Sequence, residues 1–454
     1  MMGDGVWVVG GGLAGSEAAW QIAEAGVDVT LYEMRPQVQT GAHRTAGLAE
    51  LVCSNSLGSM LPDRASGVLL AESRQLGSLL VREAQASSVP AGGALAVDRE
   101  VFSSRVTRAL ENHPRVTIVR QEMRTIPQGI GVLASGPLTS PALSQALKEL
   151  AGAEHLYFFD ALSPIVEADS VDSAISFRAS RYGRGESDDG DYLNCPMTRI
   201  EYEAFVAALA TAERIPLREF EEAIGSGVRA GSGTFFEGCL PVEILAGREM
   251  SALAYGPLRP VGLKDPRTGE RPHAVVQLRQ DDLAGTLYNL VGFQTNLTYP
   301  EQQRVFRMIP GLEAARFVRY GQMHRNTFIN SPALLDPTLR LRQTEGLFVA
   351  GQITGVEGYL GNIATGLLAG LNAVRAQRGQ PLLELPRATM LGALCHYICN
   401  AEPKVFQPMK ANFGLLPPLA EPRPRDRRVR QRLYAERSAA ALSQFLEPSP
   451  VDCA

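Results

Sequence analysis

The sequence of 454 residues has little cysteine, no long apolar run and no excess of basic residues. Six cysteines are too few for a disulfide framework in so long a chain, which favours a reducing cytoplasm. No apolar stretch of about eighteen residues predicts a membrane span, and the first residues lack the basic region of a signal peptide. Lys and Arg number 44 against 48 Asp and Glu, which excludes a globally basic nucleic-acid-binding protein and leaves only local patches for RNA contact.

The N-terminal residues have the pattern of a βαβ unit. Residues 6–9 are a short apolar run, residues 16–25 have helical spacing, and residues 27–33 predict a second strand. The glycine turn between them matches a dinucleotide-binding motif, in which the helix N-terminus binds a pyrophosphate and a carboxylate after the second strand binds ribose. The alternative is a glycine turn with no ligand. The predicted cofactor-binding residues here are Gly10, Gly11, Gly12, Leu13, Ala14, Gly15 and Glu33.

The choice between NAD and FAD depends on the C-terminal part of the chain, because both dinucleotides fit the first unit. Residues 347–351 predict a strand that runs into a glycine-rich turn, and residues 362–377 predict a helix of small residues. This pair resembles the second flavin-contacting segment of FAD-dependent enzymes; the alternative is one more packed βα unit. The resemblance favours FAD and adds the predicted cofactor-binding residues Gly351, Gln352, Gly355 and Asn362.

The order of elements predicts an α/β fold: a Rossmann-like, doubly wound and discontinuous FAD-binding domain with an inserted α+β domain. Helices are expected over residues 67–86 and 98–112, the second capped by Asp98, and a strand over residues 130–134. The expected parts are an FAD-binding domain over 1–190 and 311–454, with an Arg-rich C-terminal helix from about 425 to 445, and an inserted substrate-binding domain over 191–310.

Two cysteines lie in polar, turn-like segments that favour reactive thiols. Cys53 is in the segment 51–59, which is rich in serine, and Cys239 follows Gly238. A buried, inert cysteine is the commoner case, and the sequence carries no information on a thiol pKa. The sequence is therefore compatible with a reactive thiol and with an inert, buried cysteine at both positions.

Several strings together resemble one family, the folate- and FAD-dependent tRNA (uracil-5-)-methyltransferases (TrmFO), which is related to the MnmG/GidA flavoproteins. The resemblance extends from about residue 5 to about residue 415. One departure is Leu360-Gly361-Asn362-Ile363, where the family has a small, acidic-then-serine stretch. The strings are Gly10 to Gly15, Glu33-Met34-Arg35-Pro36, His43-Arg44-Thr45, Cys53-Ser54-Asn55-Ser56, Asn194-Cys195-Pro196-Met197-Thr198, the run from Phe236 to Glu243, Tyr255-Gly256-Pro257, the run from Gly292 to Leu297, the run from His324 to Pro332, and the run from Gly351 to Tyr359.

The resemblance implies transfer of a one-carbon unit from 5,10-methylenetetrahydrofolate to C5 of the T-loop uridine of tRNA, with reduced FAD as reductant and NADPH or NADH as electron source. It implies Cys239 as the nucleophile at C6 of uracil and Cys53 as its partner near the flavin, with the two roles interchangeable. The residues expected to contact folate or tRNA are His324, Arg325, Asn326 and Tyr359. The expected partners are the T-arm of tRNA, folate and a nicotinamide nucleotide, with no membrane.

Weaker signals concern metal and RNA. Cys395 and Cys399 share a helix face with His396 between them, but zinc needs four ligands, so no metal site is expected. A run of arginines in the C-terminal tail is either a solvated face or a phosphate-binding patch for tRNA. Its members are Arg423, Arg425, Arg427, Arg428, Arg430, Arg432 and Arg437; Arg178, Arg181 and Arg184 form a second candidate patch.

Two other function classes compete with the methyltransferase. One is an FAD-dependent oxidoreductase of small molecules or thiols, and the other is a flavin-stabilised binding protein without turnover. Cys53 and Cys239 lack the close C-x-x-C spacing of a disulfide reductase, which disfavours thiol exchange.

Overall fold

The computed structural model describes residues 5–40, 42–151, 156–161, 163–183, 190–215, 240–321, 323–421 and 424–447. The strands are β1 (Val6–Val9), β2 (Val29–Glu33), β3 (Ser56–Ser59), β4 (Ser88–Val89), β5 (Ala94–Val97), β6 (Val116–Arg120), β7 (Gly131–Leu133), β8 (Leu156–Ala161), β9 (Ile165–Glu167), β10 (Phe177–Ala179), β11 (Tyr192–Met197), β12 (Ala274–Gln280), β13 (Leu287–Leu290), β14 (Phe317–Arg319), β15 (Met323–Phe328), β16 (Leu347–Val349), β17 (Val356–Glu357) and β18 (Met409–Lys410).

The α-helices of the same residues are α1 (Leu13–Glu24), α2 (Ala65–Gln75), α3 (Leu79–Ala86), α4 (Arg99–Glu111), α5 (Pro141–Ala151), α6 (Arg199–Thr211), α7 (Val242–Ala246), α8 (Ala252–Tyr255), α9 (Tyr299–Phe306), α10 (Ser331–Leu334), α11 (Tyr359–Gln377), α12 (Met390–Asn400) and α13 (Arg427–Leu446). None of the described helices has the length and hydrophobicity that crossing a membrane requires.

A five-stranded parallel sheet organises the first core. Its strand order is β16-β7-β1-β2-β6, so the strand from the C-terminal part lies beside strands from the N-terminal part. Strands β1 and β7 are both buried along their whole length, as expected for a sheet with helices on both faces. The predicted doubly wound, discontinuous Rossmann-like fold is confirmed.

Helices α1 and α11 run side by side in the same direction across this sheet. A Cβ atom added to Gly366 would lie 2.2 Å from the carbonyl oxygen of Ala14, and one added to Gly370 would lie 2.7 Å from that of Ala18. The two helices therefore approach as closely as their backbones permit. As a result, the first turn of α11 extends just beyond the N-terminus of α1.

Several predicted boundaries change in the structure. The helix predicted over 67–86 is two helices, α2 and α3, because the chain turns at Gly77 with φ 80° and Ser78 caps the second helix. Helix α1 begins at Leu13, three residues earlier than predicted, and α11 begins at Tyr359 rather than at residue 362. The predicted cap of α4 is confirmed, since Asp98 accepts hydrogen bonds from the N–H groups of Glu100 and Val101.

A second sheet forms a separate core. Its strand order is β10-β11-β12-β13-β9-β14, and α6 to α9 pack against it around buried side chains such as Phe205 and Phe293. Three of its strands (β9, β10 and β14) lie outside the range 191–310 expected for the inserted domain. We therefore propose that this domain extends from about residue 165 to about residue 319.

Candidate cofactor site and cysteine loop

The candidate site is a cleft at the carboxyl ends of β1, β2 and β7, next to the first turn of α11. Ligands of open α/β sheets bind at this edge, where neighbouring strands connect in opposite directions. Of the predicted cofactor-binding and substrate-binding residues, those that line the cleft are Gly10, Gly12, Leu13, Ala14, Glu33, Gly351, Gln352, Tyr359 and Asn362.

The glycine turn gives the cleft a polar floor. A Cβ atom on Gly15 would lie 1.8 Å from the carbonyl oxygen of Gly10, so α1 begins directly on the turn. Gly12 is the N-cap of α1, and no side chain caps the helix. The free N–H groups and the positive end of the helix dipole therefore face the cleft, which suits a phosphate. Gly11 and Gly15 support the turn from below instead of lining the cleft.

Glu33 is a buried carboxylate that organises this end of the cleft. Its Oε2 accepts a hydrogen bond from the N–H of Gly11 (2.8 Å), and its Oε1 accepts from the side chain of Arg35 (2.9 Å). Burial raises the pKa of Glu33, but the hydrogen bonds and charge of Arg35 outweigh that effect, so the pKa lies below its usual value. Glu33 is therefore ionised at neutral pH, as an acceptor of ribose hydroxyls must be.

The far wall of the cleft carries an unsatisfied acceptor. Asn362 is buried at the start of α11, and its Oδ1 accepts no hydrogen bond from the described residues. An isolated buried acceptor is costly, so this atom fits a ligand that donates a hydrogen bond. Gln352 lines the same wall and donates to Glu357 (3.0 Å). Gly355, also predicted to bind the cofactor, instead packs against the ring of Phe406.

Cys53 lies at the rim of the cleft on a loop that Tyr359 holds in place. The neighbouring Val52 and Tyr359 both line the cleft. The Tyr359 hydroxyl oxygen accepts hydrogen bonds from the N–H groups of Cys53 (2.7 Å) and Ser54 (3.0 Å). Cys53 is half-buried and forms no disulfide. Burial raises the pKa of Tyr359, and the charge of Cys53 raises it further, so the phenol stays neutral.

The remaining predicted site residues are described by their backbone alone or lie outside the described part of the chain. Cys239 lies outside the described residues. His324, Arg325 and Asn326 occupy β15, opposite residues 158–160 of β8, and their side chains are outside the described part. The strand itself reaches the cleft, because the N–H of Thr327 donates to the carbonyl oxygen of Pro137 (2.9 Å), which lines it. The folate contacts of these three residues stay a prediction.

The other described cysteines, Cys195, Cys395 and Cys399, are buried and do not line the cleft. Burial raises the pKa of Cys195 and of Cys395 to about 12, and it raises the pKa of Cys399 as well. These thiols are protonated at neutral pH, which fits a structural role. The described residues contain no group of three or more His, Cys, Asp or Glu side chains arranged to hold a metal ion.

Two features of the site escaped the sequence analysis. The segment 134–140, which follows β7, forms one side of the cleft; its position at the end of a strand beside β1 was the available signal. Arg35 is buried and forms ion pairs with Glu33 and Glu50 (both 2.9 Å). Arg35 belongs to the family string Glu33-Met34-Arg35-Pro36, but the sequence spacing does not identify Glu50 as its partner.

Comparison with known proteins places the chain in a family. The model of the family "glucose inhibited division protein A" (GidA) matches residues 5–381. A methylenetetrahydrofolate--tRNA-(uracil-5-)-methyltransferase TrmFO of Brevibacillus brevis is 56% identical over 442 residues, 97% of this chain and 98% of the relative. The TrmFO of Synechococcus sp. (strain JA-3-3Ab) is 57% identical over 438 residues, 96% of this chain and 95% of the relative.

The fold has solved counterparts. A structure of Aquifex aeolicus GidA superimposes with a TM-score of 0.68 at 17% sequence identity, covering 98% of this chain and 76% of that one. A second crystal form of the same protein gives a TM-score of 0.67 at 15% identity, covering 99% of this chain and 74% of that one. The chain belongs to the GidA family and, within it, to the family of methylenetetrahydrofolate--tRNA-(uracil-5-)-methyltransferases, TrmFO.

Proposed function

We propose that this protein transfers a one-carbon unit from 5,10-methylenetetrahydrofolate to C5 of the T-loop uridine of tRNA, with FAD as cofactor, giving 5-methyluridine. The observation that carries the proposal is the double contact of Tyr359. Tyr359 lines the cofactor cleft, and its hydroxyl oxygen accepts a hydrogen bond from the backbone N–H of Cys53. A cysteine thiol and a dinucleotide cleft are therefore neighbours. Methylation of a pyrimidine by this route requires both a nucleophile and a reductant.

The residues of the cleft fit FAD. The N–H groups at the start of α1 would bind the pyrophosphate, and the ionised Glu33 would accept hydrogen bonds from the ribose. Asn362 Oδ1, which lacks a donor among the described residues, would accept a hydrogen bond from the flavin end. When bound and reduced, the flavin supplies the hydride that brings the transferred carbon to the methyl level.

The thiols make the uracil ring reactive. C5 of uracil is a weak nucleophile, and addition of a thiolate sulfur to C6 turns C5 into an enolate carbon that attacks the methylene carbon of the folate. A base then removes the C5 proton while the bond between the methylene carbon and the folate nitrogen breaks, which releases tetrahydrofolate. Once a hydride has been added to the methylene carbon, the S–C6 bond breaks and the thiolate is regenerated. We assign the addition to Cys239 and the proton removal to Cys53, whose neighbour Val52 lines the cleft.

The partners follow from this reaction. Folate is proposed to bind near β15, where an imidazole, a guanidinium and an amide (His324, Arg325 and Asn326) suit a pterin and its carboxylate tail. NADPH or NADH is the proposed source of electrons. Because tRNA is the substrate, and because the reaction requires free thiols, the cytoplasm is the proposed site of action.

Reconstitution tests the function. We expect the FAD-loaded protein with NADPH to methylate an unmodified tRNA transcript at the T-loop uridine when methylenetetrahydrofolate is present. A transcript in which that uridine is replaced by cytidine is the matched control. Mass spectrometry of nuclease fragments would locate the new methyl group. Methylation that requires S-adenosylmethionine instead, or flavin oxidation without any change in the RNA, would contradict the proposal and support the oxidoreductase alternative.

Helix α13 offers a basic surface for the tRNA. Arg427, Arg428 and Arg432 are exposed, and their guanidinium groups form no ion pair with the described residues. Arg430 and Arg437 differ, because they donate to carbonyl groups of the preceding segment. The helix itself is anchored, since the hydroxyl of Ser438 donates to the buried carboxylate of Glu72. Deleting the tail would thus disturb the core, whereas neutralising exposed charges would not.

Neutralising this surface is expected to weaken tRNA binding. The triple variant Arg427→Gln/Arg428→Gln/Arg432→Gln loses up to three phosphate contacts. The negative slope of the logarithm of the binding constant against the logarithm of the salt concentration should therefore become shallower by about 2 to 3. Filter binding or fluorescence anisotropy at several salt concentrations would measure it. The matched control replaces Arg115, Arg124 and Arg199, which are exposed but paired with carboxylates. An equal effect in both variants would indicate a general charge effect and would contradict an α13 site.

Of the second candidate patch, Arg178 and Arg181 have partners within the protein. Arg178 donates to the hydroxyl of Tyr288 (2.6 Å), and Arg181 donates to the carbonyl oxygen of Arg259 (2.9 Å). Arg184 and the tail residue Arg423 lie outside the described residues. The α13 surface is therefore the stronger candidate.

A further inference from the structure

The loop that carries Cys53 is held from four elements of both domains. Tyr359 of α11 binds the N–H groups of Cys53 and Ser54. Arg99 of α4 donates to the carbonyl oxygen of Leu51 (3.0 Å). The other two anchors are arginines of the second sheet, one at β12 and one at β14. Together these contacts define the surroundings of the thiol.

The two arginines of the second sheet flank Cys53 directly. Arg279 donates from Nε to Asn55 Oδ1 and from Nη2 to Ser54 Oγ, both at 2.7 Å. Arg319 donates from Nη2 to the carbonyl oxygen of Val52 at 2.6 Å. Their guanidinium groups thus bind the residues immediately before and after Cys53.

Both guanidinium groups are buried without a carboxylate partner. Arg279 is 8% exposed and Arg319 is 9% exposed, and neither forms an ion pair with the described residues. The other buried arginine of this region, Arg35, is neutralised by Glu33 and Glu50. Arg99 is likewise paired with Asp281 (3.1 Å). Burying an uncompensated cation is costly, so a structure that keeps two of them in one place provides a strong positive field there.

We propose that Arg279 and Arg319 are positioning residues that hold Cys53 as a thiolate at the rim of the cofactor cleft. The thiol proton leaves to water, and the resulting sulfur anion is stabilised by the two fixed cations. A thiolate is the form that either removes a proton or adds to a pyrimidine. The proposal rests on the proposed function only for the use of this anion, because the ionisation itself requires neither tRNA nor folate.

The other charged groups around the loop do not cancel this field. Burial and the charges of Arg99 and Arg44 together lower the pKa of Arg319 to about 10, with Tyr359 and Cys53 opposing them, so this guanidinium is still a cation at neutral pH. Burial also lowers the pKa of Arg279, while Tyr192, Asp281 and Cys53 raise it. Asp281 is engaged by Arg99, and the two tyrosines that face the loop, Tyr192 and Tyr359, stay neutral because burial raises their pKa.

Alkylation of Cys53 as a function of pH tests the proposal on the FAD-loaded enzyme. Iodoacetamide reacts with the thiolate and releases iodide, and peptide mass spectrometry gives the rate at Cys53 alone. In the wild type we expect half-maximal reactivity about one to two pH units below the value of a free cysteine, near 8.5. Arg279→Met and Arg319→Met should each move it upward by about one unit, whereas Arg279→Lys, which keeps the charge, should move it less.

Arg304→Met is the matched control, because Arg304 is exposed and paired with Glu301 on α9; it should leave the profile unchanged. Flavin content and the unfolding temperature identify any variant that fails to fold. In that case the pH profile of Cys53 alkylation in the wild type alone tests the proposal. Half-maximal reactivity at or above that of free cysteine in the wild type would overturn the proposal, as would unchanged profiles in both methionine variants. Loss of tRNA methylation with the expected alkylation profile would count against the proposed function only.

Discussion

Gly15→Ala is expected to yield a colourless protein, with its FAD content reduced at least about tenfold. The added Cβ atom would lie 1.8 Å from the carbonyl oxygen of Gly10, so the turn and α1 must separate. Such overpacking against backbone costs about 3 kcal/mol of unfolding free energy or more. Visible flavin absorbance per protein and urea denaturation would measure the two effects.

Gly12→Ala separates binding from folding. A Cβ atom at Gly12 has nothing within 4 Å in the protein, and φ is −75°, so the fold should persist with a stability change within about 1 kcal/mol. The new methyl group nevertheless points to where the backbone must approach a pyrophosphate, and FAD should bind at least about tenfold more weakly. Gly247→Ala, at an exposed, unstrained position, is the control for the exchange itself. Normal flavin content in Gly15→Ala would refute the assignment of this cleft.

Cys239→Ala is expected to abolish the covalent adduct with tRNA that carries 5-fluorouridine at the target position. Fluorine replaces the C5 proton, so the base has no proton to remove and the elimination cannot occur. The enzyme that has added to C6 and transferred the carbon therefore stays attached to the RNA. Without the attacking sulfur no adduct forms, and methylation should fall by at least about 10³-fold. Denaturing gel electrophoresis of labelled tRNA would detect the adduct.

Cys53→Ala is the informative partner of that variant. If Cys53 removes the C5 proton, the adduct still forms, while methylation of normal tRNA falls by about 10² to 10⁴-fold. The reverse pattern would exchange the two roles. Cys395→Ala, which removes a buried thiol far from the cleft, should leave both readouts unchanged. Adduct formation at the wild-type rate in Cys239→Ala would show that the assignment is wrong.

Local signals in the sequence were sufficient for the framework of the fold. The glycine turn, the carboxylate at the end of β2 and the cap of α4 each depend on residues a few positions apart, and all are found in the structure. The break between α2 and α3 was missed because the residues around Gly77 continue the helical pattern on both sides. The C-terminal strand and α11 were found because a buried strand and a small-residue helix have their own local patterns.

The surroundings of Cys53 were beyond sequence reasoning. Its loop is bound by side chains that lie 225, 267 and 306 residues further along the chain, on β12, β14 and α11. An arginine in a strand is usually assigned to a solvent-exposed face, and no spacing rule connects it to a distant cysteine. Only the tertiary contacts of β12 and β14 with the loop bring those charges to it.

The close packing of α1 and α11 has a consequence for biosynthesis. The Gly10–Ala14 side of the cleft precedes the inserted domain in the chain, whereas Gly351 and Asn362 follow it, so the two sides are synthesised at different stages. A nascent chain that has folded only its first βαβ unit therefore lacks the wall of the cleft to which Gly351 and Asn362 belong. Assembly of the whole cleft is expected only after α11 has been synthesised and has packed against α1.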